Sequence, residues 1–344
     1  MSPASPSHTP GSLTPASFRA VYKHVETQEI DVDIYLPPLH DISSKKCPVV
    51  INIHGGAFML GSSKMINKDQ APITVFALKL IYSKAQYKTV GTSWRGSTKK
   101  DSQQLFATWL GQVSPQILIT SLLSAPLQVD TSHFVWYVES LRVHTMKSTA
   151  DEATVAHCQQ GFGVPRPVAG IYDMYGACNF DDGFWSTKLP NMKLPPDLTD
   201  SFINKVFDEH PVATTGGVSL EGQASGPPDF SDPRQAYALT QVANGTVLDA
   251  IFPSKDWGRV DPALNISPSF PPTFIVHGTD DNKIPIQLSK NLFEILRMNG
   301  VNCGMVELPG EEHTFAAKME VGSVTWQLQR QGFNFLESLI QQGH

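Results

Sequence analysis

PVVINIHGGAF, residues 48–58, is a continuous apolar run that stops at a histidine followed by two glycines. A run this short and this rich in Val and Ile reads as a strand, and the lack of polar alternation implies cover on both faces. Such strands occupy the centre of parallel sheets, so this stretch points to an α/β architecture. Two adjacent glycines after the strand let the backbone approach a ligand closely and turn its N–H groups toward a developing oxyanion. A plain tight turn is the alternative reading.

Working outward, FRAVYKHV (18–25) and EIDVDIYLP (29–37) read as strands on the amino-terminal side. Beyond the glycines the pattern predicts a helix near 67–82, a strand near 87–94, a helix near 101–110, the strand HFVWYV (133–138), a helix over 143–158 and the strand PVAGIYDMYG (167–176). Alternation of this kind makes a doubly wound, mostly parallel sheet. The next strand, PPTFIVHG, begins only at 271, after roughly 95 residues, where α/β connections usually take about 2–6 residues around one helix. An insertion that long predicts a helical cap, about residues 179–262. A helix (286–299), a strand (303–310) and a final helix (324–340) close the chain.

The 344 residues carry a formal net charge of −6 with no run of either sign, so nothing suggests a nucleic-acid groove or an anionic membrane surface. Small neutral partners are expected. The four cysteines, Cys47, Cys158, Cys178 and Cys303, lie far apart with no metal-ligand spacing, so they read as reduced thiols without a zinc site or a disulfide framework. Residues 1–17 are rich in Pro and Ser and lack an apolar core, which predicts a flexible leader rather than an export signal, hence a cytoplasmic protein. No stretch approaches the length of a membrane span.

Two further motifs follow predicted strands, where ligands bind in open α/β sheets. One is His277-Gly278-Thr279-Asp280-Asp281, leading to Ile284-Pro285; an Asp there can hold an imidazole or simply cap a helix. The other is Gly310-Glu311-Glu312-His313, with a histidine on a loop 32 residues after Asp281. Taken together, HGGAF, HGTDDNKIP and GEEHTF resemble the α/β-hydrolase superfamily, in its esterase and lipase branch with an HGGG oxyanion loop. The resemblance runs from about residue 20 to the end.

That resemblance implies a Ser-Asp-His triad in chain order, with the serine on a G-x-S-x-G turn. Gly91-Thr92-Ser93-Trp94-Arg95 keeps one glycine, but Ser93 stands only 39 residues after His54, too few for two helices and two strands. Ser140 stands 86 residues after His54, follows the apolar run HFVWYV, and leads into a helical stretch. By position the triad is Ser140, Asp281 and His313, with oxyanion donors at Gly55, Gly56 and Leu141. Yet Val138 and Arg142 stand where the turn requires glycine, because the residues flanking the serine press together there.

Three readings stand: a working Ser140 in a relaxed turn, a pocket that has lost hydrolysis, or a gene-model error over 70–160. The implied function is hydrolysis of an ester of a small or medium apolar molecule, without metal or organic cofactor, with a homodimer as the candidate assembly. The same triad serves amidases. The alternative is a ligand-binding protein or non-hydrolytic catalyst, for example in secondary metabolism. Phe184, Trp185, Phe202, Phe207, Phe230 and Tyr237 offer the cap aromatic surface for an apolar or polyketide-sized substrate, or fill the cap's own core.

Overall fold

The computed structural model describes residues 18–25, 28–34, 49–53, 55–61, 117–121, 168–209 and 228–342. Strands β1 (Phe18–Val25) and β2 (Gln28–Ile34) form an antiparallel pair. Five strands make the main sheet: β3 (Val49–Ile53), β4 (Ile117–Ser121), β5 (Val168–Met174), β6 (Thr273–Gly278) and β7 (Cys303–Leu308). They lie side by side in chain order and all pair in parallel, so every carboxyl end falls on one edge.

Alternation along the strands builds two cores. Ile171 and Ile275 face one side, where Leu288, Leu292 and Leu296 form an i, i+4, i+8 stripe on α4 (Ile286–Met298). Tyr172, Met174 and Val276 face the other, against Phe333, Leu336 and Ile340 of α6 (Val324–Gln342). The Tyr172 hydroxyl donates to the Gln329 carbonyl at 2.7 Å, which satisfies its one polar atom inside that core. Helices thus cover both faces, as the apolar run at 48–53 implied. α5 (Phe315–Lys318) is a single turn between β7 and α6.

Between β5 and β6 the regular elements among the described residues are helical, joined by irregular chain: α1 (Asp200–Ile203), α2 (Pro233–Asn244), α3 (Val247–Ile251) and short 3-10 turns. α2 starts on an Asp232 cap with Pro233 in its first turn and ends at Gly245. Asp261, fully buried, gathers both ends of this insertion: its carboxylate accepts from Asn179, Phe180 and Ala263 N–H at 3.0, 2.6 and 2.9 Å. The insertion's aromatic side chains are divided between its interior and its surface: Phe207 is 51% exposed. Trp185 is buried beside Phe184 and Phe180, while Phe207 stacks edge-on against Tyr237.

The position beside β5 belongs to Ile117–Ser121, a strand the sequence reading did not anticipate. The strands expected at 87–94 and 133–138, and the helices at 67–82, 101–110 and 143–158, lie outside the described residues.

Candidate active site

All five carboxyl ends of the parallel sheet meet on one edge, and the Gly-Gly, Asp281 and His313 turns of the sequence reading sit there. At the end of β3, Gly55 and Gly56 lead into a left-handed turn in which Ala57 and Phe58 also have positive φ, 51° and 64°. Gly56 itself sits at φ 142°, and a Cβ there would lie 1.9 Å from the Leu60 carbonyl oxygen, so no other residue fits. Met59 and Leu60 N–H donate to the Gly56 carbonyl at 3.1 and 2.8 Å, closing the turn. Phe58 is buried and meets Phe180 of the insertion at 6.2 Å between ring centres.

At the end of β6, Gly278 admits the backbone of the loop that follows β7. A Cβ on Gly278 would lie 2.2 Å from the Glu311 carbonyl oxygen. Asp280 N–H donates to that same carbonyl at 3.0 Å, and Gly310 N–H donates to Thr279 Oγ1 at 2.8 Å. The two loops are stitched together, which brings His313 onto Asp281: His313 Nδ1 lies 2.7 Å from Asp281 Oδ2. Asp280 instead accepts from the neighbouring Thr279 hydroxyl and is exposed.

The Asp281 side chain is fully buried and richly supplied with donors. Lys283 and Ile284 N–H donate to Oδ1 at 2.8 and 2.9 Å, and His277 Nε2 reaches Oδ2 at 3.0 Å. Burial on its own pushes this carboxyl up. The hydrogen bonds from His277, His313 and Ile284 and the charge of His313 outweigh it, holding the group below the ordinary carboxylate range. His313 keeps 14% of its side-chain surface exposed.

Tyr175 completes the surroundings. It sits just past β5 at φ 49°, a costly conformation for a non-glycine residue, with its ring 4.7 Å from the His313 ring. Asp173, next to last in β5, is buried; its Oδ1 accepts from Gly176 N–H at 2.9 Å while Oδ2 has no partner among the described residues. Burial raises its pKa to about 6, against the lowering effects of the Gly176 hydrogen bond and the nearby His277 charge.

Asp281 and His313 are therefore in contact, while Gly55 and Gly56 share their edge two strands away across β4 and β5. At a strand spacing of about 4.8 Å, β3 and β6 are roughly 14 Å apart. Ser140 and Leu141, like Ser93, lie outside the described residues. Ser121, at the carboxyl end of β4, pairs in register with Ile53 and Asp173, which places it between the two halves of the site. Sequence reasoning missed Ser121, Tyr175, Asp173 and the inward role of His277. The signal was available in part: TFIVHG and GIYDMYG each carry one polar residue near the end of an otherwise apolar central strand. Among the described residues no cluster of His, Cys, Asp or Glu could hold a metal ion. No described helix is long and apolar enough to cross a membrane.

The parallel sheet, the helices on both faces and the order of the two loops define the class: the chain has the α/β-hydrolase fold. Residues 245–342 match the prolyl oligopeptidase family. A protein with unknown function from Staphylococcus aureus subsp. aureus Mu50 superposes with a TM-score of 0.53 at 13% identity, over 94% of this chain and 99% of that one. By sequence the chain is similar to the non-reducing polyketide synthase Preu6 of Preussia isomera, 26% identical over 350 residues, 92% of this chain and 14% of that protein. The non-reducing polyketide synthase mapC' of Penicillium brevicompactum is 23% identical over 352 residues, 93% of this chain and 15% of that protein. The chain spans about one seventh of the length of these curated relatives.

Proposed function

We propose that the chain is a serine-dependent carboxylic ester hydrolase acting on an ester of a small or medium apolar molecule. Ser140 attacks the ester carbonyl, His313 takes its proton and returns it to the leaving alcohol, and Asp281 holds His313. The N–H groups of Gly55, Gly56 and Leu141 receive the oxyanion. Water then repeats the cycle on the acyl-enzyme, and this route needs neither metal nor organic cofactor. The insertion, about 179–262, covers the site as a cap. Free thiols at Cys178 and Cys303 fit a reducing, cytoplasmic setting.

The observation that carries this reading is the 2.7 Å contact of His313 Nδ1 with a buried, fully supplied carboxylate. That arrangement fixes the imidazole with its other nitrogen ready to accept a proton. The register of β4 supports Ser121 as a second candidate nucleophile, since Ser140 stands 19 residues beyond it. A second functional reading, a ligand-binding protein or non-hydrolytic catalyst of secondary metabolism, draws support from Val138 and Arg142 in place of glycine and from the polyketide synthase relatives.

Hydrolysis of a short p-nitrophenyl ester separates these. The ester-hydrolase reading expects turnover above buffer that His313→Ala reduces by roughly 10⁴-fold or to background. If instead the missing glycines have silenced Ser140, wild type shows background only and Val138→Gly with Arg142→Gly gains activity. Background rates in both proteins would leave the binding reading.

A further inference from the structure

Behind the Asp281–His313 pair lies a second imidazole that the proposed chemistry does not use. His277, next to last in β6, is fully buried, and so is Ser289 on α4. His277 Nε2 faces two acceptors, Asp281 Oδ2 at 3.0 Å and the Ile284 carbonyl at 2.9 Å, so this nitrogen carries the hydrogen. Nδ1 faces Ser289 Oγ at 2.7 Å, and in this tautomer it accepts the hydrogen bond of the serine hydroxyl. Around it stand Asp173 on the neighbouring β5 and the Tyr175 ring at 6.3 Å.

The consequence falls on Asp281. Lys283 and Ile284 N–H occupy Oδ1, so among the described residues Oδ2 is shared between the two imidazoles. Without His277, Oδ2 loses the contact that opposes His313, and the carboxylate is held less firmly, by its two backbone bonds on Oδ1 and His313 on Oδ2. We propose that His277, held in its Nε2–H form by Ser289, is a positioning residue that aims Asp281 Oδ2 at His313. Its part in turnover rests on the ester-hydrolase reading above, but its geometric effect does not.

The test uses the full chain and two readouts. In proton NMR the His313 N–H bonded to Asp281 gives a low-field resonance, assigned by its absence from His313→Ala. We expect His277→Phe, similar in bulk but without a donor, to lose or broaden that resonance and to lower kcat by roughly 10- to 100-fold with KM little changed. His277→Gln, whose amide nitrogen reaches the place of ring Nε2, keeps the resonance and most of kcat. Ser289→Ala removes one oxygen, leaves the ring in place, and weakens the resonance less than His277→Phe does. An unchanged resonance in folded His277→Phe, or in Ser289→Ala where the Phe variant does not fold, overturns the proposal, as does a Gln variant as impaired as Phe. If wild type hydrolyses no ester, the ester-hydrolase reading fails while the NMR arm still decides the role of His277.

Discussion

Asp173 is a buried carboxyl with one oxygen unpartnered among the described residues, sitting next to the Ser121 register position and one strand from His277. Its pKa is raised to about 6, so the folded protein holds this proton more tightly than the unfolded chain does. The stability associated with the protonated form is complete below about pH 4 and is lost as pH rises through 6. Asp173→Asn keeps an acceptor for Gly176 and carries no charge. It is expected to raise stability at pH 7 by up to about 3 kcal/mol, with the gain vanishing near pH 4, measured by denaturant unfolding at both values. Keeping such a costly group at the carboxyl edge of the sheet fits a site where function, not stability, sets the residue.

At this scale the sequence was informative where a motif names its own partner. The Asp281 and His313 motifs were legible because each follows a strand and their spacing equals one helix, one strand and their loops. His277 was not, since a histidine ending an apolar strand reads equally as core filler, and only the parallel register of β6 with its neighbours reveals that it faces α4 and Asp281.

Among elements, the contrast is between strands set by pattern and a strand set by partners. β3, β5, β6, β7, α4 and α6 fall within a few residues of their sequence expectations, because buried parallel strands and amphipathic helices each leave a periodic trace. β4 does not stand out. ILITS lies inside the longer apolar run QILITSLLSAPL, where helix and strand patterns coincide, and its β-branched residues between Pro115 and Pro126 were the only hint. The insertion was legible as an interval too long for one connection, but not its closure by Asp261. Removing that carboxylate in Asp261→Ala leaves three N–H groups without their acceptor, at about 1 kcal/mol or more each. A loss of roughly 3 kcal/mol and faster proteolysis between 175 and 272 are expected, read by denaturant unfolding and mass-mapped limited digestion. Unchanged digestion would show that the aromatic packing of Phe180, Trp185 and Trp257 alone closes the insertion.

Among the described residues, two apolar cores flank one parallel sheet, and the candidate site lies along the single edge where its strands end. The carboxyl-terminal part, which also matches the prolyl oligopeptidase family, holds the proposed acid and histidine; the amino-terminal part holds the Gly-Gly turn. The account therefore requires one serine from the chain between β3 and β5 to stand between them. The most direct measurement is labelling with a fluorophosphonate probe, followed by mass-spectrometric mapping of the modified residue. The account predicts a single modified serine, Ser140 or by topology Ser121, with labelling abolished by its alanine variant and strongly reduced by His313→Ala. A folded protein that takes up no label, or one labelled equally well without His313, would contradict it.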